Sequence, residues 1–177
     1  MKMPLPKLQA MILYFCENTD SKFLGKTKLM KLFYFSDFGH VKQYGSPITF
    51  DTYTKFAKGP IPSVILNLVD EASEDIDSSV LAEVIDIEKP QGIDMCRILA
   101  RRKLTDDDIK LFTPSELKIM KNVCERFRHK NTEYIVEASH EEAPWKKSKM
   151  YQTIPYTYAT LDPDCEANKE EIELALS

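Results

Sequence analysis

Asp37 and His40 stand three residues apart in TKLMKLFYFSDFGHVKQYG, a spacing that puts a carboxylate and an imidazole on one side of a helix. Such a pair can orient a general base or supply two ligands of a metal site. His140, next to Glu141 and Glu142 and five residues before Trp145, would complete a two-His, one-carboxylate set if the fold carried it to His40. A metal-assisted hydrolase centred on His40, Asp37 and His140 is the chemistry this set would serve. The simpler alternative is structural. Asp37 and His40 would form a buried hydrogen-bonded pair or link two helices, and His140 with Trp145 would pin a helix end to the core, the indole N–H donating. The structural alternative is preferred, because no nucleophile and no metal-ligand spacing lies near either histidine in sequence.

Lys28, Lys31 and Lys42 fall on one stripe of the same helix, opposite Leu29, Phe33, Asp37, His40 and Tyr44. A lysine stripe is usually a solvated face. Here it is a candidate for contacting an acidic partner or, in a DNA-binding regulator, phosphates. No helix-turn-helix or basic surface with interleaved aromatics accompanies it. Gly25-Lys26-Thr27 imitates the end of a phosphate-binding loop, but the first glycine that the motif requires is absent and no strand precedes it. Nucleotide binding is rejected on that ground. Cys16, Cys96, Cys124 and Cys165 are too far apart for metal-ligand spacing and are expected to act as small hydrophobes.

These residues need elements to hold them. The spacing of Leu8, Met11, Ile12 and Phe15 predicts a first helix over 5–18. The lysine-bearing helix is expected to begin at Thr27 and end at Gly45, which tolerates a left-handed cap, and to be buried, because it is apolar almost all round. A β segment over 48–57 is followed by the Gly59-Pro60 turn and a short helix from Pro62 or Ser63. The run 70–79 is expected as a loop or frayed helix end. Val80–Ile87 and Ile93–Ala100 are expected to form a hairpin around Pro90-Gln91-Gly92. Thr113-Pro114-Ser115-Glu116 is a capping box opening a helix to about Arg128, and Asn131 or Thr132 caps another that Pro144 ends. The fold class is therefore α+β, a mostly helical single domain with a small antiparallel sheet. It spans 1–160, with 161–177 an acidic C-terminal helix or tail that caps the domain or folds on a partner.

KLMKLFYFSDFGH, the β segment with GPIPSV, and NTEYIVEASHEEAPW stand in the order and spacing of the Panacea domain, the SocA-like or GepA-like phage-associated antitoxin family, which this chain resembles from about Leu5 to Trp145. The resemblance implies that Lys31, Tyr34, Asp37, His40, Gly45, Gly59, Pro60, His140 and Trp145 are framework residues of the family fold. Lys58 departs from the pattern, which has an aromatic before the Gly-Pro. The family implies a cytoplasmic antitoxin without enzymatic activity or cofactor. It would neutralise a toxin encoded in the adjacent gene by protein–protein binding, or hand that toxin to a cytosolic AAA+ protease.

Composition is consistent with this expectation. A 43% apolar, 10% aromatic chain of 177 residues is long enough to bury a sizeable core. The N-terminus lacks a secretory cleavage pattern, and no apolar run reaches membrane-spanning length. The net charge of −4 is unevenly placed. Residues 1–60 hold nine lysines against four acids, so the remainder is strongly acidic. Such polarity can orient a protein partner, and the overall charge is not that of a dedicated nucleic-acid binder.

Overall fold

The computed structural model describes residues 3–177. At its centre lies α2 (Lys26–Tyr44), in which 14 of 19 residues are buried. The other elements pack around it. The first, α1 (Leu5–Asn18), buries Leu8, Met11, Ile12 and Phe15, the Phe15 ring meeting Phe33 edge-on at 5.1 Å. A 3-10 turn (Ser21–Phe23) leads into α2, which starts one residue before the expected Thr27, with Gly25 at its cap and no side-chain cap bond. It ends as expected. Gly45 takes φ 76° and its N–H closes on Val41 O at 2.9 Å, a conformation that costs an L side chain energy and glycine little.

The β segment is shorter than its β-branched content predicted. Only β1 (Tyr53–Phe56) is strand, paired antiparallel with β2 (Gly59–Pro62) in the register Tyr53↔Pro62 and Phe56↔Gly59. Residues 46–52 do not join it, because the Ile48 and Thr49 amides bond the Asp37 carboxylate instead of a strand. Gly59 and Pro60 thus sit inside a strand, not in a turn between strand and helix. Pro60 and Pro62 are tolerated because β2 is an edge. The other edge of β1 is covered from far along the chain, with Lys55 N–H donating to Gln152 O (3.0 Å) and Ile154 N–H to Tyr53 O (2.8 Å).

After β2 come α3 (Ser63–Glu74) and a second antiparallel pair, β3 (Ile85–Glu88) and β4 (Arg97–Ala100). The expected hairpin is present but shorter, since Val84 and Ile85 bond back to Leu81 O in turns. A short helix that was not anticipated, α4 (Asp106–Ile109), opens with a Thr105–Asp108 capping box. Then α5 (Pro114–Phe127) begins with the Thr113–Glu116 box read from the sequence, and α6 (Thr132–His140) is capped by Asn131. Pro144 does not end α6. It lies in the first turn of a new helix, α7 (Ala143–Lys147), where its missing N–H costs nothing. A 3-10 segment (Tyr156–Leu161) and α8 (Lys169–Leu176) complete the chain. The last helix starts later than the expected Glu166, because the Glu166 and Ala167 amides bond Lys42 O at the end of α2. With 54% of the described residues helical and two small two-stranded sheets among them, the class is α+β, mostly helical. No helix among the described residues is long and apolar enough to cross a membrane.

Candidate functional site

The polar residues of α2 define the site, and each finds its partner on a different element. Asp37, fully buried, accepts four hydrogen bonds. Oδ1 takes the amides of Ile48 and Thr49 at 2.8 Å each, and Oδ2 takes Thr49 Oγ1 at 2.5 Å and Tyr53 OH at 2.7 Å. Burial pushes its pKa up to about 6 against the pull of those bonds. Its job is to hold the 46–52 connection on α2. Asp51 continues that work at the other end, accepting from Val64 N–H and Ile65 N–H and so satisfying amides in the first turn of α3.

His40 does not touch Asp37. Its Nδ1 lies 2.5 Å from Ser46 O and its Nε2 lies 3.0 Å from Ser115 Oγ. A carbonyl can only accept, so Nδ1 carries the proton, and Nε2 receives the Ser115 hydroxyl. Burial lowers the His40 pKa and keeps the ring neutral, as this arrangement requires. The residue ties the end of α2 to the start of α5. His140 is elsewhere, stacked on Trp145 with centroids 4.0 Å apart. The Trp145 indole N–H donates to Phe56 O at 3.0 Å, and Lys55 Nζ sits 4.0 Å over the same ring. The two histidines and Asp37 are not brought together, and no three His, Cys, Asp or Glu side chains among the described residues gather as a metal-binding group.

The lysine stripe is not a solvated face. Lys28, Lys31 and Lys42 are all buried, which corrects their expected role as partner-contacting residues. The physical reason is that each ammonium is consumed by acceptors of the fold. Lys28 Nζ donates to Phe127 O (2.8 Å) and Lys130 O (2.6 Å), covering carbonyls at the end of α5 and in the turn that follows it, and burial lowers its pKa to about 8. Lys31 Nζ donates to Pro60 O at 3.0 Å and makes no ion pair among the described residues, and burial lowers its pKa to about 7. Gly59 has φ 100°, and a Cβ there would collide with Lys31 Cε and come within 2.6 Å of Ser139 Oγ. Glycine is therefore needed twice over, for conformation and for space.

Lys42 anchors a charged centre of three carboxylates. It pairs with Glu142, with Asp162 Oδ2 at 3.0 Å and with Asp164 Oδ1 at 3.0 Å. Burial opposes the ammonium, but the Glu142 charge and the bonds to all three carboxylates outweigh it and hold its pKa above the usual lysine range. Burial and its contact with Asp162 push Glu142 up to about 7. Asp162 goes the other way, since its bonds from Glu142, the Ala143 amide and Lys42 overcome burial. The Tyr34 hydroxyl lies close enough to these carboxylates for their charge, after burial, to raise its pKa, and it has no hydrogen-bond partner among the described residues. Beside this centre opens a cleft of about 170 Å³ between α2 and α5.

Residues 29–146, two thirds of the chain, match the model of the SocA-like antitoxin, Panacea domain family. The chain belongs to that family. No curated protein and no solved structure matches it. Within this Panacea domain the matched span runs from α2 to α7, so it includes Asp37, His40, the Gly59-Pro60 strand and the His140–Trp145 stack. Two members of the framework were not legible beforehand. Asp51 carried a faint signal as an acid among β-branched and aromatic residues. The Lys42 centre carried none, because its carboxylates lie 100 to 122 positions away.

Proposed function

We propose that this protein is an antitoxin that neutralises a cognate toxin by direct, stoichiometric protein–protein binding. The observation that carries it is membership of the SocA-like family over 29–146. The disposition of the motif residues supports it. Asp37, Lys28, Lys31 and Trp145 spend their polar atoms on backbone groups and hydroxyls of the same chain. They shape a rigid scaffold and leave recognition to the surface around it. Occlusion of the toxin then needs no chemistry on the antitoxin. The toxin is proposed to come from the adjacent gene and the pair to meet in the cytoplasm. A variant of the same reading has the protein deliver its bound toxin to an AAA+ protease.

Co-expression of this chain with its genomic neighbour, in a host where the neighbour alone arrests growth, tests the reading. Rescue with a co-purifying complex is expected. Rescue in which the neighbour disappears, and which is lost when host proteases are removed, selects the delivery variant. No rescue and no complex refutes both.

A further inference from the structure

The cleft beside Lys42 has an apolar floor and a rim that carries both charges, and nothing described so far uses it. Phe35, Ile119, Val123 and Phe127 make the floor. Gly39 faces the same space, and a Cβ there would touch Ile119 Cγ2 at 3.4 Å, so the absence of a side chain keeps the floor open. One wall is the Arg126 guanidinium, lying over Phe127 at 4.6 Å and Phe35 at 5.1 Å from the ring centroids. The facing wall is Glu142 and Asp164. There a single cation, Lys42, answers three carboxylates, and the Asp164 side chain remains 70% exposed at the mouth. Past Arg126 the surface continues into a depression lined by Tyr134, Glu137 and Glu141, with both glutamates exposed.

We propose that this cleft is a docking pocket for an arginine side chain carried on a basic segment of a partner polypeptide; on the antitoxin reading, that partner is the toxin. A volume of about 170 Å³ suits one long side chain, not a cofactor or a helix. The aliphatic stem would cover the apolar floor, and a planar guanidinium can meet a carboxylate at the mouth with two parallel bonds. Glu141 is already paired with Lys146 at 2.9 Å, but Glu137 extends the negative charge along the surface, so a flanking basic residue of the segment is favoured over a nucleic-acid phosphate.

The test uses the intact protein and N-acetyl-arginine amide as probe, with N-acetyl-citrulline amide as its uncharged isostere, followed by NMR of the methyl and aromatic groups of the floor. Shifts confined to Phe35, Ile119, Val123 and Phe127 with the arginine probe alone are expected. The double variant Glu137→Gln/Asp164→Asn should weaken the probe about tenfold, and Asn122→Trp, an exposed rim position on α5, should block it sterically. A cooperative thermal transition shows that both variants are folded. Equal shifts with citrulline, or none with arginine, overturn the pocket. Co-expression with the adjacent gene separates the two claims. If the wild-type chain fails to rescue growth, the antitoxin reading falls and the titration alone decides the pocket. If wild type rescues and the Asn122→Trp protein binds the neighbour equally tightly, the pocket falls and the antitoxin reading stands.

Discussion

Replacing Asp37 with alanine should unfasten the 46–52 connection from α2. Four donors converge on this carboxylate, two amides on Oδ1 and two hydroxyls on Oδ2, all in a site with no water-exposed edge. A buried donor left without a partner costs about 1–3 kcal/mol, so four at the low end give about 4 kcal/mol. Some of this is returned, because burial already strains the ionised carboxyl, as its upward pKa shift records. The expected net loss is about 3–4 kcal/mol, a large share of the stability of an ordinary domain. Asp37→Asn separates the terms. It keeps an oxygen for the Ile48 and Thr49 amides, and its NH₂ can donate to Thr49 Oγ1, leaving mainly the Tyr53 hydroxyl unpaired. The loss should fall to about 1–2 kcal/mol. Urea unfolding followed by circular dichroism gives both numbers, and amide exchange at Ile48 and Thr49 reports whether the loosening is local. An Asp37→Ala loss below about 1 kcal/mol, or equal losses for the two variants, would refute the assignment of Asp37 as the clasp of this connection.

His40→Ala should cost about 1–3 kcal/mol by thermal unfolding, since Ser46 O and Ser115 Oγ lose their partner; full stability with lost toxin neutralisation would instead mark His40 as functional. Lys42→Met strands three carboxylates, two of them largely buried, and should cost about 3–5 kcal/mol in denaturant unfolding, with partial recovery on adding Asp162→Asn. No recovery would show that the carboxylates are not what the ammonium stabilises. The buried Lys31 sets a pH dependence. Its folded pKa of about 7 lies below the ordinary lysine value of 10.5, so between them the unfolded chain binds more protons and stability rises with pH. Lys31→Met should flatten that rise between pH 7 and 10, and identical profiles for the two proteins would contradict the shift.

Local pattern sufficed wherever neighbours in sequence supply the interaction. The Thr113–Glu116 capping box, the Gly45 cap and the apolar stripe of α1 were legible because a cap or a helical face is closed within a few residues. So was the burial of the apolar majority of α2, since a helix that is apolar almost all round has nowhere else to go. The lysine stripe was misjudged for the converse reason. Sequence places Lys28, Lys31 and Lys42 on one face, but it cannot supply the carbonyls of Phe127, Lys130 and Pro60, or the carboxylates of Glu142, Asp162 and Asp164, that make burying an ammonium affordable.

The sequence by itself determined the class, the central helix and the family, because periodicity, caps and motif order are one-dimensional properties. Tertiary structure alone decided what each polar residue does. It gave Asp37 to the 46–52 connection, His40 to the start of α5 and His140 to Trp145, and it bent the 48–57 run out of its expected strand. A buried charge is assigned by whichever donors or acceptors reach it in space, and those come from segments whose positions only the folded chain fixes.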